Sequence, residues 1–213
     1  MTERKKMTVE TVNHPLVQHK LSLLRDQKTP SGDFRRILEE ITTILFIHAS
    51  KDLSLKTASI STPMDTSKCQ LLDDTVVLVP ILRAGLGMLN PILRLVPDAR
   101  VEFMGLRRDE STLEPIQYYT HLTDSHSGAS VFVLDPMVAT GGSVLHTARI
   151  LKENGLVQVK IISVITSSHA VKRLENTAEE VRLYTASVDP ELNKHGFIIP
   201  GLGDAGDRIY NTF

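Results

Sequence analysis

A glycine turn between an apolar run and a helical pattern is the part of this sequence best suited to chemistry. The apolar run Val131–Leu134 leads to an acid, Asp135, and a turn from Thr140 to Ser143 then enters a helical pattern that ends at Lys152. Backbone N–H groups at the start of a helix lack partners within it and carry partial positive charge, so they attract anions. Glycines let the backbone approach a phosphate closely, and neighbouring hydroxyl groups add donors. The segment therefore predicts a phosphate site beside a carboxylate.

Two common phosphate motifs do not match this turn. No lysine follows the glycines as in a Walker loop, and the sequence has no GxGxxG pattern. Since most Gly-Gly pairs belong to ordinary loops, a plain strand-to-helix turn is the alternative interpretation. The apolar strand before the turn and the helix after it favour the phosphate site.

A second glycine turn carries an arginine. Arg83 lies between the apolar run Val76–Pro80 and the two glycines Gly85 and Gly87. A guanidinium held there can meet diphosphate oxygens in a bidentate arrangement. A surface arginine beside a helix cap is the alternative, and the apolar and glycine neighbours favour the functional interpretation.

Two further segments have unusual composition. Residues 107–110 read Arg-Arg-Asp-Glu, which on the residues alone is better explained as a solvated charge run. The stretch from Gly201 to Asp207 contains three glycines and two aspartates and suits neither a helix nor a strand. Phe197, Ile198 and Ile199 precede it, whereas a frayed terminal loop would be polar. The composition therefore predicts an ordered, irregular backbone that is held between apolar side chains.

These segments resemble those of the phosphoribosyltransferases, and above all those of the uracil phosphoribosyltransferase family. The turn resembles the family's phosphoribosyl-pyrophosphate loop, with Asp135-Pro136 in place of two consecutive acids, and the C-terminal stretch is similar to its uracil-binding loop. The resemblance extends from His14 to the C-terminus. Phe197 stands where members often have tyrosine, and Val138 replaces the more usual leucine.

The resemblance implies that the chain makes UMP and diphosphate from uracil and 5-phosphoribosyl 1-pyrophosphate (PRPP). Arg108 and Asp135 are then the implied catalytic residues; the pattern Arg-x-Glu followed by Thr-Leu-Glu-Pro selects Arg108 rather than Arg107. Uracil would be read mainly by backbone groups of Ile198, Gly203, Asp204 and Ala205. The implied PRPP-binding residues are Arg83, Arg108, Asp135, Pro136, Met137, Val138, Ala139, Thr140, Gly141, Gly142, Ser143 and Asp204.

A site that binds the base through backbone groups, here called a backbone reader, suits uracil. The edge of uracil presents an acceptor, a donor and an acceptor, which backbone N–H and C=O groups can complement. Cytosine would leave two of the three contacts facing like groups, at a cost of about 1–3 kcal/mol for each unpaired buried group. A transferase for another base is the nearer alternative. A non-catalytic regulator that senses a pyrimidine nucleotide and binds RNA is the alternative from another class.

Alternating apolar runs and helical patterns predict an α/β fold with a mostly parallel central sheet flanked by helices, the type I phosphoribosyltransferase fold. We expect one domain over residues 1–213, with N-terminal helices, a mobile loop or hairpin arm at 107–130 and a base-binding segment at 187–213. The predicted strands are 76–80, 100–106, 131–134, 159–165 and 181–186. The predicted helices are 14–27, 34–45, 86–95, 144–152 and 169–180.

The composition limits the classes of partner that we expect for this protein. A net charge of -1 gives no basic excess for a nucleic acid. A single cysteine excludes an internal disulfide and a thiolate metal cluster. The charged residues at the start are followed by no apolar region, which predicts no signal peptide, and no apolar run is long enough for a membrane span. These features predict a cytoplasmic protein with small-molecule substrates. The resemblance adds Mg²⁺ bound through the diphosphate of PRPP and GTP as an activator, and the apolar N-terminal helices suggest a homodimer or homotetramer.

Overall fold

Short apolar runs form the centre of a parallel sheet, and the apolar faces of helices cover it on both sides. A computed structural model describes residues 8–108, 115–123, 128–156, 158–177 and 181–212. None of the helices within these ranges combines the length and the apolar character needed to cross a membrane. The described helices are α1 Pro15–Arg25, α2 Ser31–Ala49, α3 Leu89–Leu95, α4 Gly142–Glu153, α5 Ser168–Glu175 and α6 Ala205–Tyr210, with a 3-10 helix at Ala84–Met88.

The strands of the described residues form one large sheet and two small ones. The large sheet has the order β1-β11-β10-β8-β4-β6-β7, with β5 beside β4 and β9 beside β10. The strands are β1 Thr8–Thr11, β2 Leu55–Ser61, β3 Thr66–Leu72, β4 Val76–Leu82, β5 Arg100–Val101, β6 Phe103–Arg108, β7 Pro115–His121, β8 Ser130–Leu134, β9 Met137–Val138, β10 Gln158–Ser167, β11 Val181–Asp189, β12 Glu191–Leu192 and β13 Ile198–Ile199.

The large sheet is parallel except at one edge, where β7 runs antiparallel to β6. The predicted fold class is therefore confirmed. Strands β4 and β8 are direct neighbours, so their carboxyl ends lie side by side. Ligands of open parallel sheets bind beyond such ends. The topology thus brings together the turn from Arg83 to Gly87, called the arginine turn, and the turn from Asp135 to Ser143, called the Asp135 turn.

Two hydrophobic cores lie on opposite faces of this sheet, because successive side chains of a strand point to opposite sides. In β4, Val76 and Leu78 belong to one core, whereas Val77 and Val79 belong to the other. Helices α1 and α2 contribute to the first core, and α4 and α5 contribute to the second. A strand buried on both faces needs an apolar residue at nearly every position, which explains the continuous apolar runs of the sequence.

Most predicted elements are present with shifted boundaries. The helix predicted from residue 86 begins as the 3-10 helix and becomes α-helical at Leu89. The helix predicted to reach residue 180 ends at Glu175, and residues 178–180 lie outside the described residues. Within 107–130, β7 pairs with β6 to form a hairpin arm, while residues 109–114 and 124–127 lie outside the described residues. The mobility of this arm stays a prediction.

The hairpin of β2 and β3 was not among the sequence predictions. The two strands pair only with each other, and only the middle residue of each strand is half-buried. Both faces of the hairpin are therefore open to solvent, and its sequence lacks the apolar alternation that marks a strand packed on one side.

A buried lysine anchors the chain between α2 and this hairpin to the central strand β10. Lys160 is 4% exposed, and its ammonium donates to the carbonyl of Ala49 at 3.0 Å and to the carboxylate of Asp52. Asp52 also accepts from Arg182 at 2.8 Å. Burial alone would raise the pKa of Asp52, but these two cations hold it below its ordinary value. The pair thus fixes the end of α2 against the sheet.

The two partners of this pair should differ in their effect on stability. Removing Asp52 leaves the buried ammonium of Lys160 without a carboxylate partner, so Asp52→Ala should lower the free energy of unfolding by roughly 3 kcal/mol. Lys160→Met should cost about 1 kcal/mol, because an apolar side chain suits the site and Asp52 keeps Arg182 and solvent. Urea unfolding followed by circular dichroism measures both values. A larger loss for Lys160→Met would contradict this interpretation.

Candidate active site

A cavity of about 770 Å³ lies beyond the carboxyl ends of β4 and β8. Three segments that the sequence singled out contribute to its wall: the arginine turn, the Asp135 turn and the C-terminal glycine segment. The two predicted glycine sites therefore share one cavity. Its lining residues are Ile81, Leu82, Arg83, Ala84, Leu106, Asp135, Met137, Ala139, Ser143, Lys194, His195, Gly196, Phe197, Asp204, Ala205 and Gly206.

The Asp135 turn presents the start of α4 to the cavity. Gly141, with φ of 78°, is the residue before the helix, a left-handed conformation that glycine adopts without strain. Because this residue has no side chain, it offers no cap to the first N–H groups of α4; the N–H of Gly142 makes only a long bond of 3.4 Å to the hydroxyl of Thr140. The arrangement leaves backbone donors and the positive end of the helix dipole for an anion.

A buried serine supports this turn from behind. The hydroxyl of Ser167 donates to the carbonyl of Ala139 at 2.5 Å and accepts from the N–H of Ala170 at 2.9 Å. Ser167 therefore caps α5 and holds the turn with one side chain. This contact fixes the direction of the Ala139 peptide beside the cavity.

Asp135 is half-buried and follows β8 directly. One of its carboxylate oxygens accepts from the N–H of Met137 at 3.3 Å. Met137, Ala139 and Ser143 also line the cavity. Pro136 and Val138 are buried, so of the predicted PRPP residues these two have side chains turned into the protein.

Close packing accounts for one glycine of the arginine turn. A Cβ atom at Gly85 would clash with the carbonyl oxygen of Leu134 at the end of β8. The turn can therefore lie directly against the strand that precedes Asp135. The side chain of Arg83 is 60% exposed and reaches toward α6, where a guanidinium nitrogen lies 3.7 Å from a carboxylate oxygen of Asp207.

The C-terminal segment from Gly201 to Asp204, here called the base loop, is held by charged groups. Gly201 has φ of 62°, and a Cβ atom there would clash with the carbonyl oxygen of Ile198. The N–H of Gly201 donates to Asp189 at 3.0 Å, and its carbonyl accepts from Arg25 at 2.7 Å. Arg25 also donates to both oxygens of Asp189, at 2.6 and 2.7 Å. One ion pair thus fixes both backbone groups of Gly201.

Arg208 also supports the base loop. It is 7% exposed, and its guanidinium donates to the carbonyls of Leu24, Asp26 and Leu202 at 2.6, 2.6 and 2.9 Å. The same group lies 4.4 Å from the ring centre of Phe34. These bonds tie the loop to the end of α1 and to α2.

The predicted uracil residues occupy different positions in this segment. Asp204 and Ala205 line the cavity, whereas the side chain of Ile198 is buried. Gly203 lies on a second cavity of about 870 Å³ on the other side of the base loop, which Asp204 also borders. Ile198 and Gly203 are therefore not among the residues that line the first cavity, and two of the four predicted uracil residues face it.

The hairpin arm rests on the start of α4. A Cβ atom at Gly142 would lie 3.2 Å from the ring of Pro115, and the imidazole Nε2 of His146 lies 2.9 Å from Oε1 of Gln117. Arg108 pairs with Pro115 in the β6–β7 register. The backbone of Arg108 is thereby placed near the start of α4, while its side chain lies outside the part of the chain that the structure describes.

Comparison with known proteins identifies the family. The sequence model of uracil phosphoribosyltransferase matches residues 11–212. The chain belongs to the uracil phosphoribosyltransferase family. It is 43% identical over 204 residues to the uracil phosphoribosyltransferase of Campylobacter fetus, covering 96% of this chain and 98% of that protein. It is 44% identical over 205 residues to that of Dictyoglomus turgidum, covering 96% and 99%.

Solved structures agree with this assignment. The AQ2163 protein of Aquifex aeolicus has a TM-score of 0.90 and 39% identity, covering 96% of this chain and 99% of that chain. A hypoxanthine phosphoribosyltransferase of Staphylococcus aureus reaches a TM-score of 0.50 at 16% identity over 85% of this chain and 84% of that chain, which shows a shared fold. The type I phosphoribosyltransferase fold is thus confirmed.

Sequence reasoning missed several residues of this family member's cavity and its support. Lys194 and His195 line the cavity, although the sequence analysis gave neither a role. Arg25 holds the base loop from 176 residues away in sequence, and Asp189 holds it from 12 residues away, without a local pattern around either residue. Lys194 and His195 belong to the segment that resembles the family's uracil loop, so that resemblance is the signal that could have found them.

Asp189 should make a pH-dependent contribution to stability. Burial would raise its pKa, but the hydrogen bonds from Arg25, Ser187 and the Gly201 N–H outweigh burial and leave the pKa below its ordinary value. Its contribution is therefore complete above the unfolded-state pKa of about 3.9 and is lost as the pH falls through the folded-state pKa. We expect Asp189→Asn to lower the free energy of unfolding by roughly 2–3 kcal/mol at pH 7, since Arg25 keeps some access to solvent.

Urea unfolding at pH 7 and pH 3 measures this contribution, with Asp98→Asn on the exposed surface as the matched control. The gap between the wild type and Asp189→Asn should narrow at pH 3, and the control should match the wild type at both pH values. A gap that is equal at both pH values would contradict the ionic role of Asp189.

Proposed function

We propose that this protein transfers the 5-phosphoribosyl group of PRPP to uracil and so makes UMP and diphosphate in pyrimidine salvage. The observation that carries the proposal is the shared cavity, which is lined by Ala139 and Ser143 at the start of α4 and by the residues from Asp204 to Gly206, where the base loop ends and α6 begins. The first wall suits a sugar phosphate and the second suits a flat base. The family of the chain agrees with this pairing of substrates.

The PRPP side of the proposal uses three groups. The turn from Ala139 to Ser143 would bind the 5-phosphate through backbone N–H groups and hydroxyls. Asp135, at the cavity wall beside this turn, would accept hydrogen bonds from the ribose hydroxyls. Arg83 and Arg108 would pair with the diphosphate, whose negative charge grows as it leaves.

The uracil side uses the backbone of Ile198, Gly203, Asp204 and Ala205. A backbone reader keeps its donors and acceptors fixed only if the loop cannot relax, and the bonds from Arg25 and Asp189 to Gly201 provide that rigidity. Asp204 is also proposed to touch the ribose side of PRPP, which its place on the cavity wall allows.

The reaction needs no nucleophilic side chain. The bond from C1 of the ribose to diphosphate breaks, the bond from C1 to N1 of uracil forms, and the N1 proton is released. The ribose passes through an oxocarbenium-like state, so catalysis rests on positioning and on stabilising the charge of the leaving group. Closure of the arm would exclude water, which otherwise hydrolyses the donor.

Mg²⁺ is proposed to bind mainly through the substrate. Among the described residues, no cluster of three or more histidine, cysteine, aspartate or glutamate side chains is arranged to hold a metal. Magnesium keeps several waters and favours phosphate oxygens together with one or two carboxylates. Asp135 and Asp204 supply two carboxylates at the cavity wall, so the residues present fit this mode of binding. The ion would neutralise charge on the diphosphate.

A panel of labelled bases tests the proposed activity. With PRPP and Mg²⁺, uracil should be converted at least 100-fold more efficiently than cytosine, because two mismatched buried groups cost roughly 3 kcal/mol or more together. Orotate and hypoxanthine should also be poor substrates. Faster conversion of any of these three bases would overturn the assignment to uracil.

Arg108 should act on turnover rather than on uracil binding. We expect Arg108→Ala to lower kcat by roughly 100-fold, as expected when a group that stabilises developing charge is removed. Arg107→Ala is the matched control, because it removes the neighbouring cation and leaves Arg108 in place. Steady-state kinetics and uracil binding by calorimetry measure both effects. Equal kcat values for the two variants would remove Arg108 from the mechanism.

Self-association is proposed for the hairpin of β2 and β3. A two-stranded hairpin alone is only marginally stable in water. This one exposes Leu55 by 60%, Met64 by 94% and Leu72 by 37%, and Leu55 pairs directly with Leu72 across the strands. A second copy of the chain that covers this surface would stabilise the hairpin, which supports the predicted homodimer or homotetramer.

Light scattering on a size-exclusion column tests this surface. We expect the wild type to have the mass of an oligomer, and Leu55→Ser combined with Leu72→Ser to shift it toward the monomer. Lys68→Ala on the same hairpin is the control and should keep the oligomer. A monomeric wild type, or an unchanged mass for the leucine variant, would contradict the proposal. Activation by GTP and a cytoplasmic location stay predictions from the family resemblance and the composition.

A further inference from the structure

The arginine proposed to bind diphosphate is held at both ends by the last helix of the chain. The hydroxyl of Tyr210, the final residue of α6, donates to the backbone carbonyl of Arg83 at 3.1 Å. The guanidinium of Arg83 lies 3.7 Å from Asp207 on the same helix and 3.8 Å from where a Cβ atom of Gly206 would be. A single helix therefore sets both the backbone and the side chain of Arg83.

The first residues of α6 belong to the base site. Asp204 precedes the helix, and its carboxylate accepts from the N–H of Asp207 at 3.0 Å. Asp207 in turn accepts from the hydroxyl of Thr212 at 2.7 Å. The carboxylate of Asp207, which faces Arg83, is thus held by Thr212, and the N–H of the same residue donates to the Asp204 cap of α6. The base loop, α6 and Arg83 form one connected series of contacts.

We propose that Tyr210 is a positioning residue that fixes Arg83 over the cavity for the diphosphate of PRPP. The proposal rests on the proposed function, since it takes Arg83 as a PRPP ligand. Arg83 stands in a turn between β4 and the 3-10 helix, and its side chain is largely exposed. The bond from Tyr210 restrains the peptide from which this side chain extends, so less conformational freedom is lost when the guanidinium binds.

The contact between Arg83 and Asp207 suits exchange with a ligand. At 3.7 Å it is an ion pair without a short hydrogen bond, and the arginine is 60% exposed. Such partly exposed pairs are weak. Diphosphate oxygens can therefore replace Asp207 as the partner of the guanidinium, while Tyr210 keeps its bond to the backbone carbonyl.

Direct binding of PRPP by calorimetry tests the proposal without relying on turnover. Tyr210→Phe removes one oxygen atom and keeps the ring, so it should weaken PRPP binding roughly fivefold, as the loss of one neutral hydrogen bond does. Uracil binding and the thermal unfolding midpoint should stay close to those of the wild type. Tyr184→Phe removes a hydroxyl from β11, outside the cavity wall, and should leave PRPP binding unchanged.

A double-mutant cycle separates positioning from a general structural effect. In an Arg83→Ala background, Tyr210→Phe should cause no further loss of PRPP affinity, because the group that it positions is gone. An equal loss in both backgrounds, or no loss in the wild-type background, would overturn the proposal. Unchanged PRPP binding by Arg83→Ala would also overturn it.

The positioning role of Tyr210 and the proposed activity can fail separately. If PRPP binding responds to Tyr210→Phe only when Arg83 is present, yet uracil is not converted, the positioning role stands and the proposed activity fails. If uracil is converted by the wild type and Tyr210→Phe binds PRPP as tightly as the wild type does, the activity stands and the positioning role fails.

Discussion

The ion pair of Arg25 and Asp189 holds the loop that is proposed to bind the base. A glycine-rich loop has little structure of its own, because glycine loses more conformational freedom on ordering than any other residue. Here the N–H and the carbonyl of Gly201 are both bonded to this pair, at 3.0 and 2.7 Å. Charge-assisted hydrogen bonds are stronger than neutral ones. They give the loop the rigidity that the proposed recognition of a planar base by backbone groups needs.

The phosphate side depends on a different principle, the direction of parallel strands. Because β4 and β8 are neighbours and run the same way, their turns meet at one edge of the sheet. Gly85 allows the arginine turn to touch the end of β8, and Ser167 fixes the Ala139 peptide from the next strand, β10. Turns at the ends of neighbouring strands therefore form one side of the cavity, and the segment that follows the loop held by the ion pair lines another side.

The sequence predicted the parts of the site whose signals are local. The strand, glycine turn and helix around Asp135 follow one another in sequence, so their composition was enough to predict an anion site. The contacts that support the base loop and Arg83 could not be predicted, because Arg25 stands 176 residues from Gly201 and Tyr210 stands 127 residues from Arg83. The hairpin of β2 and β3 was missed since both of its faces are exposed and its residues do not alternate.

In the proposed arrangement, one cavity holds a sugar phosphate at the start of α4 and a pyrimidine at the base loop. A crystal structure of the protein with UMP is the decisive test. We expect the phosphate within hydrogen-bonding distance of the N–H groups from Thr140 to Ser143, with the pyrimidine edge on backbone groups between Ile198 and Ala205. A pyrimidine bound elsewhere, or a phosphate away from the start of α4, would contradict it.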